Sequence, residues 1–201
     1  MLDGFVRARI DQTLHRIGGL LAGAGFSANS ITITGCILGL GAGFSISQHF
    51  FIVGAILIGL SRLCDGLDGS VAKINGKTDL GGYLDIVLDF AFYGMIPVGF
   101  AFADPQNNAI AAVALLFSFY LNGASFLAYA IMAEKRGLQT EVRGSKSLFF
   151  TTGLAEATET IAVFLLACLM PDWFSTLAWG FAVICIYTAI VRIFQAAREF
   201  G

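Results

Sequence analysis

The chain has 201 residues, 57% hydrophobic and 13% charged, with a mean hydropathy of +0.78, whereas soluble domains average about 45–50% apolar and about 25% charged residues. That excludes an ordinary water-soluble globule. A formal net charge of −2, from 12 Lys+Arg and 14 Asp+Glu, gives no basic excess, and no nucleic-acid partner is expected.

Residues 1–26 are expected to form an amphipathic interfacial helix, because Leu2, Phe5, Val6, Ile10, Leu14, Ile17 and Leu21 recur at three- and four-residue steps with charges between them. Asp3, Arg7, Arg9, Asp11, His15 and Arg16 interrupt every apolar run there, which argues against a cleavable signal. Gly23, Gly25 and Ser27 break the stripe, and Asn29 or Ser30 is placed to cap the next helix. From 27 to 201, six apolar spans succeed one another, at about 30–48, 49–72, 81–103, 107–133, 148–170 and 173–195. A transmembrane helix needs about 20 mostly apolar residues, so six use roughly 120 positions and leave no room for a separate soluble domain. The expected fold is therefore all-α, a single membrane domain of six transmembrane helices preceded by the interfacial helix. The second span ends in a polar run, Asp65 to Lys77, where its helix should emerge from the bilayer.

The basic residues test that count through the excess of Lys and Arg in cytoplasmic loops. Arg7, Arg9 and Arg16 precede span one; Arg62, Lys73 and Lys77 fall between spans two and three; Lys135, Arg136, Arg143 and Lys146 separate spans four and five; Arg192 and Arg198 close the chain. The alternate turns, Ser45 to His49, Ala103 to Asn108 and Met170 to Trp173, hold no Lys or Arg. Six spans with both termini on the cytoplasmic side of an inner membrane satisfy this alternation, and an odd number does not. Pro105 and Pro171 fall in outer turns, Pro97 is expected to kink span three, and Gly39, Gly41 and Gly43 should permit close helix packing.

Cys36, Cys64, Cys168 and Cys185 have no C-x-x-C spacing and no neighbouring His, so they read as small apolar packing residues rather than zinc ligands, disulfides or a nucleophile. The acids are more informative, since Asp65, Asp68, Asp85 and Asp89 fall within 25 positions. The first two are i and i+3 and the last two i and i+4, spacings that put each pair on one helix face. Two adjacent antiparallel spans then present two acidic pairs at their cytoplasmic ends. A charge at the centre of a bilayer helix costs about 2.5–3.5 kcal/mol on insertion scales, and facing carboxylates repel, so something positive must compensate. Oxygen-rich sites of this kind suit Mg²⁺ or Mn²⁺. The competing reading leaves the aspartates solvated at a helix end or paired with Arg62, Lys73 and Lys77. The small residues among them, Gly66, Gly69, Ser70, Ala72, Gly76, Gly81 and Gly82, favour a site that a bulky ligand can approach.

The segment reads Asp65-x-x-Asp68-Gly69-x-x-Ala72-Lys73, seven residues, then Gly81-x-x-x-Asp85-x-x-x-Asp89. This closely resembles the signature of the CDP-alcohol phosphatidyltransferase family, membrane enzymes that make phospholipid head-group linkages. The resemblance extends over nearly the whole chain, since that family also has an amphipathic helix followed by six membrane helices. It implies that Asp65, Asp68, Asp85 and Asp89 hold metal, two Mg²⁺ or Mn²⁺ ions bridging the pyrophosphate of a CDP-linked donor. It further implies that Asp65, Gly69, Ala72, Lys73 and Gly81 bind the donor, and that Asp89 is the general base. Lys73 stands where the family usually has Arg, which keeps the charge and loses the bidentate phosphate geometry. A homodimer is also implied by the resemblance.

Outside the signature, Arg143 and Lys146 lie just before span five, where they would reach a phosphate on the acceptor, while Lys135 and Arg136 read as ordinary cytoplasmic bias. Arg62, one turn before Asp65, either pairs with it or faces a donor phosphate. Glu156 and Glu159 sit within the apolar fifth span beside Thr151, Thr152, Thr158 and Thr160. Intramembrane carboxylates face a bundle interior or an aqueous cavity, so these two are read as acceptor-pocket residues, against the alternative of a structural pair. The 19 Phe residues read as lipid-facing or core filler.

The expected function is transfer of a phosphatidyl group from CDP-diacylglycerol to a hydroxyl acceptor, with release of CMP; glycerol 3-phosphate, an inositol phosphate, serine and phosphatidylglycerol are all open, and Arg143 and Lys146 favour a phosphorylated polyol such as glycerol 3-phosphate. The mirror reaction, from CDP-choline or CDP-ethanolamine to diacylglycerol, presents the same pyrophosphate and is the main alternative. From another class, a divalent-cation transporter would place its carboxylates near the bilayer midplane between repeats, and a membrane prenyltransferase would need a longer chain and a different motif spacing.

Overall fold

The computed structural model describes the backbone of residues 2–137 and 155–201 and, within these, the side chains from Thr13 onward. Capping chemistry sets the helix boundaries. Helix α1 (Leu2–Gly23) stops before Gly25, whose φ of +88° no other residue type adopts readily. Ser27 then caps α2 (Ala28–Ser47), its hydroxyl accepting from the Ser30 N–H at 3.1 Å. The cap is thus Ser27 rather than Asn29 or Ser30, because Ser27 is the residue with extended backbone ahead of the first turn. Helix α3 (Phe51–Asn75) ends at Gly76, with φ +96°, and Thr78 caps α4 (Asp79–Ala103) by accepting from the Gly81 N–H at 3.0 Å. Asp104 caps α5 (Pro105–Lys135), and the hydrogen bond from the Asn107 amide holds its carboxyl below the usual range. Helix α6 (Ala157–Leu169), a 3-10 turn (Pro171–Trp173) and α7 (Phe174–Phe200) complete the elements, all of them helical among the described residues.

Among the described residues, four segments are long and apolar enough to cross a membrane: α2, α4, α5 and residues 171–200. Helix α3 has the length, at 25 residues, but from its middle onward it carries Arg62, Asp65, Asp68 and Lys73. The expected fifth span, 148–170, appears as only 13 helical residues, and 148–154 lie outside the described residues. The expectation of six crossings is therefore supported at four. Helix α4 runs through Pro97 as a single element. In α1 the expected stripe divides: Leu14 is buried against Gly66 of α3, whereas Ile17 stays exposed and Leu21 is half-buried; beside it Gly18 lies against Ser70.

Helix α2 lies along both α3 and α4, α5 pairs with α7 and touches α4, and α6 packs on α3. Glycines make the α2–α4 contact possible. A Cβ on Gly39 would run into the Phe92 ring, and one on Gly43 would sit 2.7 Å from the Met95 carbonyl oxygen; a Cβ on Gly41 would meet nothing nearer than Leu57 at 3.8 Å. Two of the three expected glycines thus serve packing. The core beyond them is aromatic. Phe100 of α4 stacks on Phe174 of α7, centroids 4.3 Å apart, and Phe92 meets Phe164 of α6 edge-on. Phe92, Phe100, Phe164 and Phe174 are fully buried while Phe44, Phe102 and Phe194 are well exposed, so Phe fills the core and also stands on the outer surface. All four cysteines are free, three of them buried.

Because the Gly43 contact is to backbone, Gly43→Val should destabilise the protein by about 1–3 kcal/mol through overpacking. Gly41→Ala should leave stability unchanged or slightly raised. Unfolding of both variants in detergent micelles measures the difference.

Candidate active site

The three-residue connection between α3 and α4 folds the two helices back on each other and brings the halves of the acidic motif together. One carboxylate oxygen from each of Asp65, Asp85 and Asp89 lies within 4.8 Å of the others; Asp85 is exposed and the other two are half-buried. All three donors are hard oxygens at a spacing that a small divalent cation can bridge, so the residues fit Mg²⁺ or Mn²⁺. Asp68 stands apart from this trio. It is buried, and its Oδ2 accepts a 2.6 Å hydrogen bond from the Thr32 hydroxyl of α2, although it lines the same cleft.

Arg62 settles on the α4 side of the cluster. Its Nη1 donates to Asp89 Oδ1 at 2.7 Å and lies 3.6 Å from Asp65 Oδ1, so the expected ion pair with Asp65 forms, with Asp89 as the nearer partner. Gly69 is exposed, and a Cβ there would meet nothing within 4 Å; Lys73 is exposed and Ala72 half-buried. Gly81 differs, since a Cβ would lie 3.0 Å from Thr78 Oγ1 and 3.1 Å from Asn29 Oδ1. Its smallness therefore serves the turn and the α2 contact, whereas that of Gly69 leaves room beside the carboxylates.

A cavity of about 470 Å³ opens on the other side of Asp89, between α4, α5, α6 and α7, with Tyr93, Asn122, Glu156, Arg192 and Gln195 among its walls. Arg192 is half-buried there. Its Nη1 donates to the Asn122 carbonyl at 3.0 Å, to Asn122 Oδ1 at 2.9 Å and to Ser125 Oγ at 2.8 Å, and it makes no ion pair among the described residues.

The expected acceptor residues fare unequally. Glu156 does reach the cavity, but as the extended residue that caps α6 rather than from inside an apolar helix, a position where a carboxylate faces the positive helix end. Glu159 does not join it; its Oε2 is buried without a hydrogen-bond partner among the described residues. Arg143 and Lys146 lie outside the described residues. Arg136 does more than bias the loop: it donates to the Glu199 and Phe200 carbonyls, closing the end of α7. Arg192, Asn122 and Thr32 carry no motif that marks them in the sequence. Arg192 falls within the expected sixth span, and the rule on intramembrane charges that marks Glu156 applies to it equally.

Comparison with known proteins agrees with this geometry. A family model described as CDP-alcohol phosphatidyltransferase matches residues 26–194. The inner membrane protein YnjF of Escherichia coli K12 is 40% identical over 195 residues, covering 97% of this chain and 95% of its own. Archaetidylinositol phosphate synthase of Pyrococcus horikoshii is 27% identical over 198 residues, 96% of each chain. The phosphatidylinositol phosphate synthase of Mycobacterium tuberculosis with CDP-DAG bound shares the fold, with a TM-score of 0.71 over 90% of this chain and 92% of that one at 21% identity. The same protein with manganese and citrate gives 0.70 over 90% and 87%.

The Thr32 hydroxyl is within reach of both Asp68 and the Ala28 carbonyl, and the short bond to a charged acceptor is the stronger of the two. Thr32→Val, close to isosteric, should cost about 1.5–3 kcal/mol of stability, read from denaturant unfolding in micelles, because it strands a buried carboxylate.

Proposed function

Because the chain belongs to the CDP-alcohol phosphatidyltransferase family of membrane enzymes, we propose that it transfers a phosphatidyl group from CDP-diacylglycerol to a phosphorylated polyol, such as glycerol 3-phosphate, releasing CMP. Membership of an enzyme family sets the transporter reading aside. The observation that carries the proposal is that Asp89 is shared: it belongs to the carboxylate cluster and also forms a wall of the cavity that holds Arg192. A guanidinium that, among the described residues, is bonded to neutral oxygens inside a cavity favours an anionic guest.

Asp65, Asp68, Asp85 and Asp89 would hold two Mg²⁺ or Mn²⁺ ions, and the relative solved with manganese supports that choice. A divalent pair supplies charge neutralisation for a pyrophosphate and its leaving oxygen. Gly69 lets the donor approach the α3 backbone, with Ala72, Lys73 and Gly81 completing that wall. Arg192 holds the acceptor phosphate and, together with Asn122, Glu156 and Gln195, sets the position of its hydroxyl; Arg143 and Lys146 remain expected contributors. Asp89 takes the hydroxyl proton as the oxygen attacks the lipid-bearing phosphorus, and the bond from that phosphorus to the CMP oxygen breaks. The excess of Lys and Arg in alternate loops supports a six-span chain with the cluster and both termini on the cytoplasmic face of an inner membrane, and the family resemblance supports a homodimer.

Purified protein incubated with labelled CDP-diacylglycerol, Mn²⁺ and a panel of acceptors should release CMP and form a phosphatidyl polyol phosphate. Product from CDP-choline and diacylglycerol instead would establish the mirror reaction. Asp89→Asn should lower turnover by about 10²–10⁴-fold, the worth of a general base, while retaining CDP binding. Arg192→Gln should raise KM for a phosphorylated acceptor by about 10–100-fold, the value of a charge-assisted contact, and leave KM for CDP-diacylglycerol unchanged.

A further inference from the structure

Arg62 is held far more tightly than a counter-ion needs to be. Only 13% of its side chain is exposed. Its guanidinium carbon sits 3.8 Å from the centroid of the fully buried Phe92 ring, within the range of a strong cation–π contact, and Tyr93 flanks it at 5.6 Å. Nη2 donates to Ser61 Oγ at 3.2 Å, and that buried hydroxyl is itself fixed by donating to the Gly35 carbonyl of α2 at 2.7 Å. Nη1 donates to Asp89 Oδ1 at 2.7 Å, while Nε is buried without a hydrogen-bond partner among the described residues. One planar group thus ties α2, α3 and α4 together at the level of the acidic cluster, and the aspartate it grips is the one shared with the acceptor cavity.

We infer that Arg62 is a positioning residue for Asp89: a resident cation that occupies Oδ1, fixes the carboxylate rotamer, and leaves the second oxygen as the one that faces metal and acceptor. The consequences for binding and for turnover have opposite signs. A fixed positive charge within 4 Å of Asp65 and Asp89 repels a divalent cation, so Arg62 weakens metal binding. The same charge prevents Asp89 from turning both oxygens to the metal, so Arg62 supports turnover. Lysine cannot replace it, because an ammonium lacks the planar fork that reaches Asp89 and Ser61 at once and stacks on Phe92. This inference rests on the metal-dependent reading above.

The test measures Mn²⁺ binding by the loss of the free-ion EPR signal, alongside CMP release, for the parent protein, Arg62→Met and Arg62→Lys in the same micelles. Arg62→Met should bind Mn²⁺ about tenfold more tightly, a shift of about 1.4 kcal/mol, while CMP release falls by about 100-fold. Arg62→Lys should keep the parent's Mn²⁺ affinity and still lose most of its turnover, which separates charge from geometry and serves also if the Met variant folds poorly. Loss of both metal binding and turnover in both variants would make Arg62 merely structural and overturn the inference. Tighter Mn²⁺ binding with undiminished CMP release would make it a bystander charge, and so would no change in either. A parent protein that binds no Mn²⁺ would instead remove the metal-dependent reading, and the inference with it.

Discussion

Like charges at the end of a helix pair set the terms for the rest of this molecule. Two carboxylates about 4 Å apart repel by roughly 4 kcal/mol at an effective dielectric of about 20, and here three oxygens share a sphere of that size, with a fourth aspartate beside them. Such a cluster persists only if its backbone is held by something stronger than the repulsion. The hold is supplied by packing: α2 lies along both α3 and α4, and it comes close enough because Gly39 and Gly43 present no side chain there. The same approach brings Thr32 to Asp68 and the Gly35 carbonyl to Ser61. Charge is thus handled by helices whose contact is apolar.

Phe92 is where the two kinds of stabilisation meet. It is fully buried in the aromatic core, edge-on to Phe164, and its face carries the guanidinium that grips Asp89. A ring in that position links the core, which extends through Phe100 and Phe174 into α7, to the electrostatics of the site. Truncating it would remove a large apolar group and the support beneath Arg62 together, so stability and site geometry are not separable at this residue.

How much the sequence reveals depends on distance along the chain. The acidic pairs are legible because they lie on two consecutive helices joined by three residues, where i, i+3 and i, i+4 spacing alone fixes the face. Their geometry is legible only in part. Spacing treats Asp68 like the other three, yet a threonine 36 positions away draws it to α2, and no local pattern encodes that pairing. Helix ends obey the same logic: Thr78 and Asp104 cap where their own backbone is extended or irregular, but which of Ser27, Asn29 and Ser30 is the cap depends on dihedrals that composition does not contain. The α1 stripe is visible as periodicity, although only the packed structure separates Leu14, against α3, from the exposed Ile17.

The acceptor side is the harder half for the same reason. Its cavity draws walls from α4, α5, α6 and α7, so Asn122 and Arg192 meet across 70 positions of sequence. Nothing in the neighbourhood of either residue announces the other. A carboxylate cluster built on one hairpin and a cavity assembled from four separate helices meet at Asp89. That arrangement lets the cavity walls change, residue by residue, without disturbing the carboxylate geometry. It explains in physical terms why the acidic motif is legible in the sequence, whereas the cavity is written in residues that only the fold brings together.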